Sequence, residues 1–311
     1  MKIEVLGLKR YFGETRAVDG ISFSFAENSI YAFVGPNGAG KTSTMRIMAT
    51  LDLPTAGDVR YDGVSAVLYP EHARRVIGFV PDTLPVQPDT TVHEYLDFFA
   101  RAYGLRGAGR KNAVAEVEEF TGVAPLREKL VTELSKGMKQ RVSLGRALIH
   151  DPAVLILDEP AAGLDPRARV ELRELLRILA DRGKAIFISS HILTELTELA
   201  DGVVIIERGK LLETGTLQDV AQRRSAGFGV AIRTLGDPNR LHQLLLEMPF
   251  VQAVEPPDGD GELAVRLNGS REQAAELLAD LVRRGLKICE FRELASDLED
   301  IFMQVTEGEV Q

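Results

Sequence analysis

The sequence predicts an α/β protein built on a parallel sheet, followed by a smaller α+β domain. Three observations carry that reading. Residues 29–34 form a short apolar strand that runs straight into a glycine-rich turn, with a helix starting at residue 42. From residue 153, near-continuous apolar runs alternate with amphipathic stretches, as buried parallel strands alternate with helices. Near residue 227 the pattern resets to strand, helix, strand, strand, helix, strand. Length agrees, since 311 residues at roughly 150 per domain gives about two domains.

Residues 2–6 and 20–25 alternate in strand fashion, and 29–34 make the next strand. Residues 42–50 read as a helix, 55–58 as a turn and 76–80 as a strand. The chain then changes character. Val92, Tyr95, Leu96, Phe99 and Tyr103 fall at helical spacing, and 113–120 and 139–149 are helical too. This predicts a helical insert, about 88–150, between two halves of the core. Strand 153–157, helix 167–182, strand 185–189, helix 192–200 and strand 202–206 follow. The second domain, 226–311, opens with strand 228–233 and helix 238–247. Strands 250–255 and 262–267, helix 270–284 and strand 286–291 complete it. That βαββαβ order is the ferredoxin-like plan. A short amphipathic helix, 297–305, is expected after it. Cys289 alternates with Ile288 and reads as a small packed residue. Arg106, Arg110 and Lys111 read as a solvated stretch of a Gly-rich loop.

Composition narrows the function. Hydrophobic residues are 45% and charged residues 27%, enough to bury a core, which disfavours disorder. A net charge of −9 speaks against holding a nucleic-acid backbone, which calls for a basic face. One cysteine cannot form an intramolecular disulfide. No apolar run approaches the roughly 20 residues of a spanning helix. The first ten residues, with Glu4 among them, show no signal peptide. The expectation is a cytosolic chain that reaches a membrane only through another protein.

Three segments carry chemistry. Residues 35–42, GPNGAGKT, fit the P-loop pattern, with a strand before and a helix after. Its glycines let backbone N–H groups converge on phosphate oxygens, and the following helix offers its N-terminal dipole. Lys41 is placed to reach the β/γ-phosphates and the Thr42 hydroxyl to ligate Mg²⁺. Residues 154–160, VLILDEP, are an apolar strand ending in Asp158 and Glu159. Acids at a strand's C-terminal end point into the crevice where α/β folds bind ligands. One is placed to hold Mg²⁺ through water, the other to orient or deprotonate an attacking water. Residues 134–141, LSKGMKQR, start a helix with Ser135 as N-cap, a second anion site.

Together these segments resemble the ATP-binding cassette family, the nucleotide-binding subunits of ABC transporters. GPNGAGKT is similar to its Walker A and VLILDEP to its Walker B. LSKGMKQR is similar to the signature segment, AAGLD (161–165) to the D-loop and ISSH (188–191) to the switch histidine. They stand in the family's order over roughly the first 220 residues. The second domain, with its terminal SDLEDIF (296–302), is similar to the C-terminal extension of ABC-2 type exporter ATPases.

The resemblance implies a RecA-like core with a helical subdomain over residues 1–225, and an accessory domain over 226–311. It implies a Mg²⁺-dependent ATPase in which Asn37, Gly38, Gly40, Lys41, Thr42 and Ser43 line the phosphates. Tyr11 would stack on adenine with its hydroxyl wet, simple packing being the alternative. Asp158 would bind Mg²⁺ through water and Glu159 would be the catalytic base. Lys41 and His191 would also serve catalysis, His191 by contacting the γ-phosphate and the water. Asp165 would cross to a second cassette. Ser135 and Gly137 would touch the γ-phosphate held by that cassette, so ATP glues a dimer, by default a homodimer. A separate transmembrane permease would dock near residues 85–99, with the chain peripheral on the cytoplasmic side of the membrane and no nucleic-acid partner.

There are departures from the family. Asp82 stands where a Gln is usual, as a metal-site residue that adds negative charge beside the triphosphate. Lys136 replaces the usual Gly of the signature and Met138 the usual Gln. Lys136 offers a positive charge that would offset Asp82. Two alternatives remain at this stage: a soluble ABC ATPase acting on nucleic acid or the ribosome, and a regulatory cassette that does not hydrolyse.

Overall fold

The computed structural model describes residues 1–85, 88–190, 199–217, 219–220, 228–257, 261–268 and 271–293. They fall into a larger unit within Met1–Leu217 and a smaller one within Gln218–Gln304.

The larger unit opens with a hairpin of β1 (Lys2–Phe12) and β2 (Thr15–Ala26). On β2 the residues Ile21, Phe23 and Phe25 are buried at alternate positions, so one face of the hairpin is apolar. β3 (Ser29–Val34) leads to α1 (Lys41–Met48). β4 (Ala56–Tyr61) and β5 (Val64–Ser65) extend the hairpin into an antiparallel sheet of order β2-β1-β4-β5. The sequence pattern predicts a turn at 55–58, but β4 begins at Ala56 and pairs with β1. Gly57, at φ +87°, lies where a Cβ would meet the Gly7 carbonyl at 2.4 Å. Its partner strand shifts register there, so the glycine marks a bulge and not a chain reversal.

α2 (Pro70–Val76) and β6 (Ile77–Val80) follow. The insert contains α3 (Val92–Ala102), α4 (Gly107–Phe120) and α5 (Lys136–Leu148). α3 starts at a reciprocal cap in which Thr91 and Glu94 satisfy each other's backbone N–H. α4 begins six residues earlier than the apolar spacing predicts. Arg110 therefore stands on a helix and reaches Asp97 on α3 at 2.8 Å, not a solvated loop.

β7 (Val154–Leu157), α6 (Pro166–Asp181), β8 (Ala185–Ser189), β9 (Gly202–Glu207) and β10 (Lys210–Thr216) complete the unit. The six-stranded sheet has order β10-β9-β3-β8-β7-β6. It is parallel from β9 to β6, with β10 antiparallel at one edge. β7 and β8 are buried along their whole length, as their unbroken apolar runs require. Phe187 packs across the two sheets against Phe25, ring centroids 5.0 Å apart, and within its own sheet against Phe33 at 4.9 Å. The expected helix 192–200 lies almost wholly outside the described residues.

The smaller unit runs β11 (Phe228–Thr234), α7 (Pro238–Leu246), β12 (Val251–Val254), β13 (Glu262–Leu267), α8 (Arg271–Arg283) and β14 (Ile288–Glu293). All pairs are antiparallel in the order β12-β13-β11-β14, the ferredoxin-like arrangement. Its core is Val230, Ile232, Leu241, Leu245, Leu263 and Leu277 with their neighbours. Cys289 is exposed, with its thiol directed at the Arg233 carbonyl, because β14 is an edge strand. The expected helix 297–305 lies outside the described residues. Among the described residues no helix is long and apolar enough to cross a membrane.

Candidate nucleotide-binding site

The loop from Gly35 to Gly40 joins the C-terminal end of β3 to α1. Gly38 and Gly40 take φ of +80° and +103°, a region that side chains avoid. A Cβ on Gly40 would stand 2.2 Å from the Ala17 carbonyl. No side chain caps α1, so its first-turn N–H groups and the positive end of its dipole are presented at the loop. Asn37, Gly38 and Thr42 are exposed on this loop and Ser43 is half-buried beside them. Lys41 is only 6% exposed. Its ammonium donates to the Gly35 carbonyl at 2.7 Å and lies 3.9 Å from Glu159. Burial lowers its pKa, while the carboxylates of Glu159 and Asp158 oppose that shift.

β7 delivers Asp158 and Glu159 to the same end of the sheet. Asp158 is 5% exposed, and its N–H donates to the Val80 carbonyl at 2.9 Å, continuing the ladder to β6. Ser189, at the end of β8, donates to Asp158 Oδ1 at 2.9 Å and accepts from the Glu159 N–H at 2.8 Å. The Thr42 hydroxyl also bonds Asp158. Burial raises the Asp158 pKa; the bonds from Ser189 and Thr42 pull it down, and the charges of Glu159 and Asp82 push it up. Glu159 has φ +48°, a left-handed conformation that its N–H bond to Ser189 helps to hold. Asp82 is exposed on the segment leaving β6. Thr42, hydrogen-bonded to Asp158, and Asp82, close enough for its charge to act on Asp158, offer hard oxygen donors, a set suited to Mg²⁺.

The signature residues occupy a different place. Ser135 caps α5, accepting from the Met138 N–H at 3.3 Å. Gly137 sits against Leu164 and Ala168 at the start of α6. The Lys136 side chain lies along Gly163 of the same loop. Asp165 caps α6, accepting from the Ala168 N–H at 2.9 Å. His191 lies outside the described residues.

Two residues escape the sequence reading. Ser189 joins both acids, and its signal is a hydroxyl closing an otherwise apolar strand. The second is Phe12. The Tyr11 hydroxyl donates to Asp19 at 2.5 Å across the β1–β2 hairpin. That bond, first of all, raises the Tyr11 pKa and lowers that of Asp19. Phe12 is instead 49% exposed, with the Arg10 guanidinium 4.4 Å from its ring centre. Its signal was direct adjacency to Gly13.

A glycine-rich loop at a helix N-terminus, a buried lysine and a strand-end acid pair define a P-loop nucleotide-binding ATPase. Comparison with known proteins narrows the class. The ABC transporter family matches residues 18–162, and an AAA domain model (putative AbiEii toxin, type IV TA system) matches 130–197. The chain is 34% identical to Nod factor export ATP-binding protein I of Rhizobium sp. (strain N33), over 99% of this chain and 98% of that protein. It is also 34% identical to the bacitracin transport ATP-binding protein of Bacillus licheniformis, over 98% and 97%. A solved ATP-binding subunit of an ABC transporter is similar at TM-score 0.66 and 29% identity, covering 72% of this chain and 93% of that one. The chain belongs to the ATP-binding subunits of ABC transporters, ATPases that hydrolyse ATP to power transport.

Proposed function

We propose that the chain powers an exporter, as its relatives for Nod factor and bacitracin are named for export and transport. It binds Mg-ATP, pairs with a second cassette, by default its own copy, and drives a separate transmembrane permease from the cytoplasmic face. The observation that carries the reading is the network through Ser189, which fixes Asp158 and Glu159 beside Lys41 and Thr42.

In this reading the N–H groups from Gly38 to Ser43 and the Lys41 ammonium cradle the phosphates, with Asn37 at the rim. Thr42 and Asp158, with Asp82 beside them, would hold a Mg²⁺, which would supply charge neutralisation at the phosphate oxygens. Glu159, its carboxylate 3.9 Å from the Lys41 ammonium, accepts the proton of the in-line water. His191 assists at the γ-phosphate. Ser135 and Gly137 complete the partner cassette's site, with Asp165 between the two. Tyr11, half-buried, and its exposed neighbour Phe12 are the aromatic rings offered to adenine.

The test is Glu159→Gln. Turnover by the assembled transporter is expected to fall roughly 10²–10⁴-fold with ATP binding retained. Parent-rate hydrolysis by this variant removes the base assignment.

A further inference from the structure

β6 is an edge strand of the six-stranded sheet, so alternate carbonyls face away from the ladder and need donors from elsewhere. Val80 faces inward, accepting from Asp158. The outward carbonyls belong to Ile77 and Phe79, and both accept from side chains of the signature helix and its end. Arg146 Nη2 donates to Phe79 at 2.9 Å, and His150 Nε2 to Ile77 at 3.0 Å. Burial lowers the His150 pKa from the usual imidazole value, and the bond to Ile77 opposes that shift.

The spacing explains the fit. Four residues along a helix rise about 6 Å, and two residues along a strand rise about 6.6 Å. Arg146 on α5 and His150, two residues past its last one, therefore meet carbonyls two residues apart on β6. Gly78 permits the approach, since a Cβ there would stand 2.5 Å from the Ala147 carbonyl. α3 adds a third layer at the same period. The Arg146 guanidinium lies 5.4 Å from the Phe99 ring centre, and the Tyr103 ring stacks on His150 at 3.7 Å. One turn earlier the Tyr95 hydroxyl donates to the Pro85 carbonyl at 3.1 Å. Asp82 thus stands on a short segment held on both sides, at Phe79 and at Pro85, by groups of α5 and α3. The other end of α5, about 20 Å away over 13 residues, bears Ser135 and Gly137.

We propose that Arg146 and His150 are positioning residues for the ATPase. They lace the signature helix to the edge of β6 and so set where Asp82 stands beside Asp158. This rests on the Mg-ATP reading given above.

The experiment follows the Mg²⁺ dependence of fluorescent ATP-analogue binding to the purified full-length chain. Arg146→Ala is expected to raise the Mg²⁺ needed for half-saturation by ~3- to 10-fold, the scale for a residue that touches neither ligand. Arg146→Lys, which keeps a donor for Phe79, is expected to recover most of that loss. In an Asp82→Gln background, Arg146→Ala is expected to add nothing, because residues acting through one another are non-additive. Equal shifts in both backgrounds, or no shift in either, overturn the positioning role. If Arg146→Ala does not fold, Arg146→Gln takes its place in the same cycle. A parent chain that fails to bind the analogue at any Mg²⁺ concentration overturns the ATPase reading itself, before any variant is compared.

Discussion

Acids and bases stand on a sheet in both units of this chain, and burial separates what they do. At the end of the six-stranded sheet Lys41 and Asp158 are nearly inaccessible, and burial shifts the pKa of each toward its neutral form. On the ferredoxin-like sheet, Arg233 pairs with Glu290, and Arg292 with Glu262 at 2.6 Å, all from partly exposed side chains. Exposed pairs are screened by water and contribute about 0–1 kcal/mol. Buried charges keep a strong field on whatever enters, which is what phosphoryl chemistry requires. The same residue types therefore make a reactive site in one unit and a solvated face in the other.

Substitutions sharpen the contrast in descending order of effect. Gly40→Ala forces a Cβ into the Ala17 carbonyl at a left-handed φ. Strain and overpacking together are expected to cost about 2–5 kcal/mol, read as a lower melting temperature with loss of nucleotide binding. Leu277→Ala, in the core of the smaller unit, is expected to cost that unit about 2–5 kcal/mol while nucleotide binding persists. If binding is lost as well, the two units do not fail separately.

Asp158→Asn probes the buried charge through pH. The folded pKa of Asp158 is raised, so its ionised form opposes folding above that pKa. That opposition disappears as pH falls below the ordinary aspartate value, where the carboxyl is protonated in both states. The variant is therefore expected to melt higher than the parent near neutral pH, with the gap closing under acid. A gap independent of pH excludes the buried charge as its source. The mildest change is Arg292→Ala, expected to shift stability by under about 1 kcal/mol in chemical denaturation and to leave ATPase activity unaltered. A larger loss would mean that the charged face of the smaller unit is bound to something.

Much of this site is legible in the chain itself. The glycines of the loop, Lys41, Thr42 and the pair Asp158 and Glu159 are read from short local patterns. The apolar runs at 153–157 and 185–189 locate β7 and β8 within a residue. Pairing across distance was harder to see. The residues 55–58 look like a turn because Gly57 is a turn-former, yet Gly7, fifty residues earlier, makes it a bulge. Arg110 looks solvated until α4 is extended far enough to bring Asp97 beside it.

By itself the sequence determined the class of fold, the phosphate loop and the acid pair at the end of β7, since glycine placement and hydrophobic period act over a few residues. Tertiary structure alone decided three things. Ser189 reaches Asp158 and Glu159 across 31 and 30 residues. Tyr11 donates to Asp19 across the hairpin, and Arg10 lies over the exposed ring of Phe12. Arg146 and His150 meet carbonyls of β6 that lie 67 and 73 residues before them. Each depends on which elements lie side by side, and that is set by the packing of the sheets and the helical insert, where side-chain burial and backbone hydrogen bonding must be satisfied together.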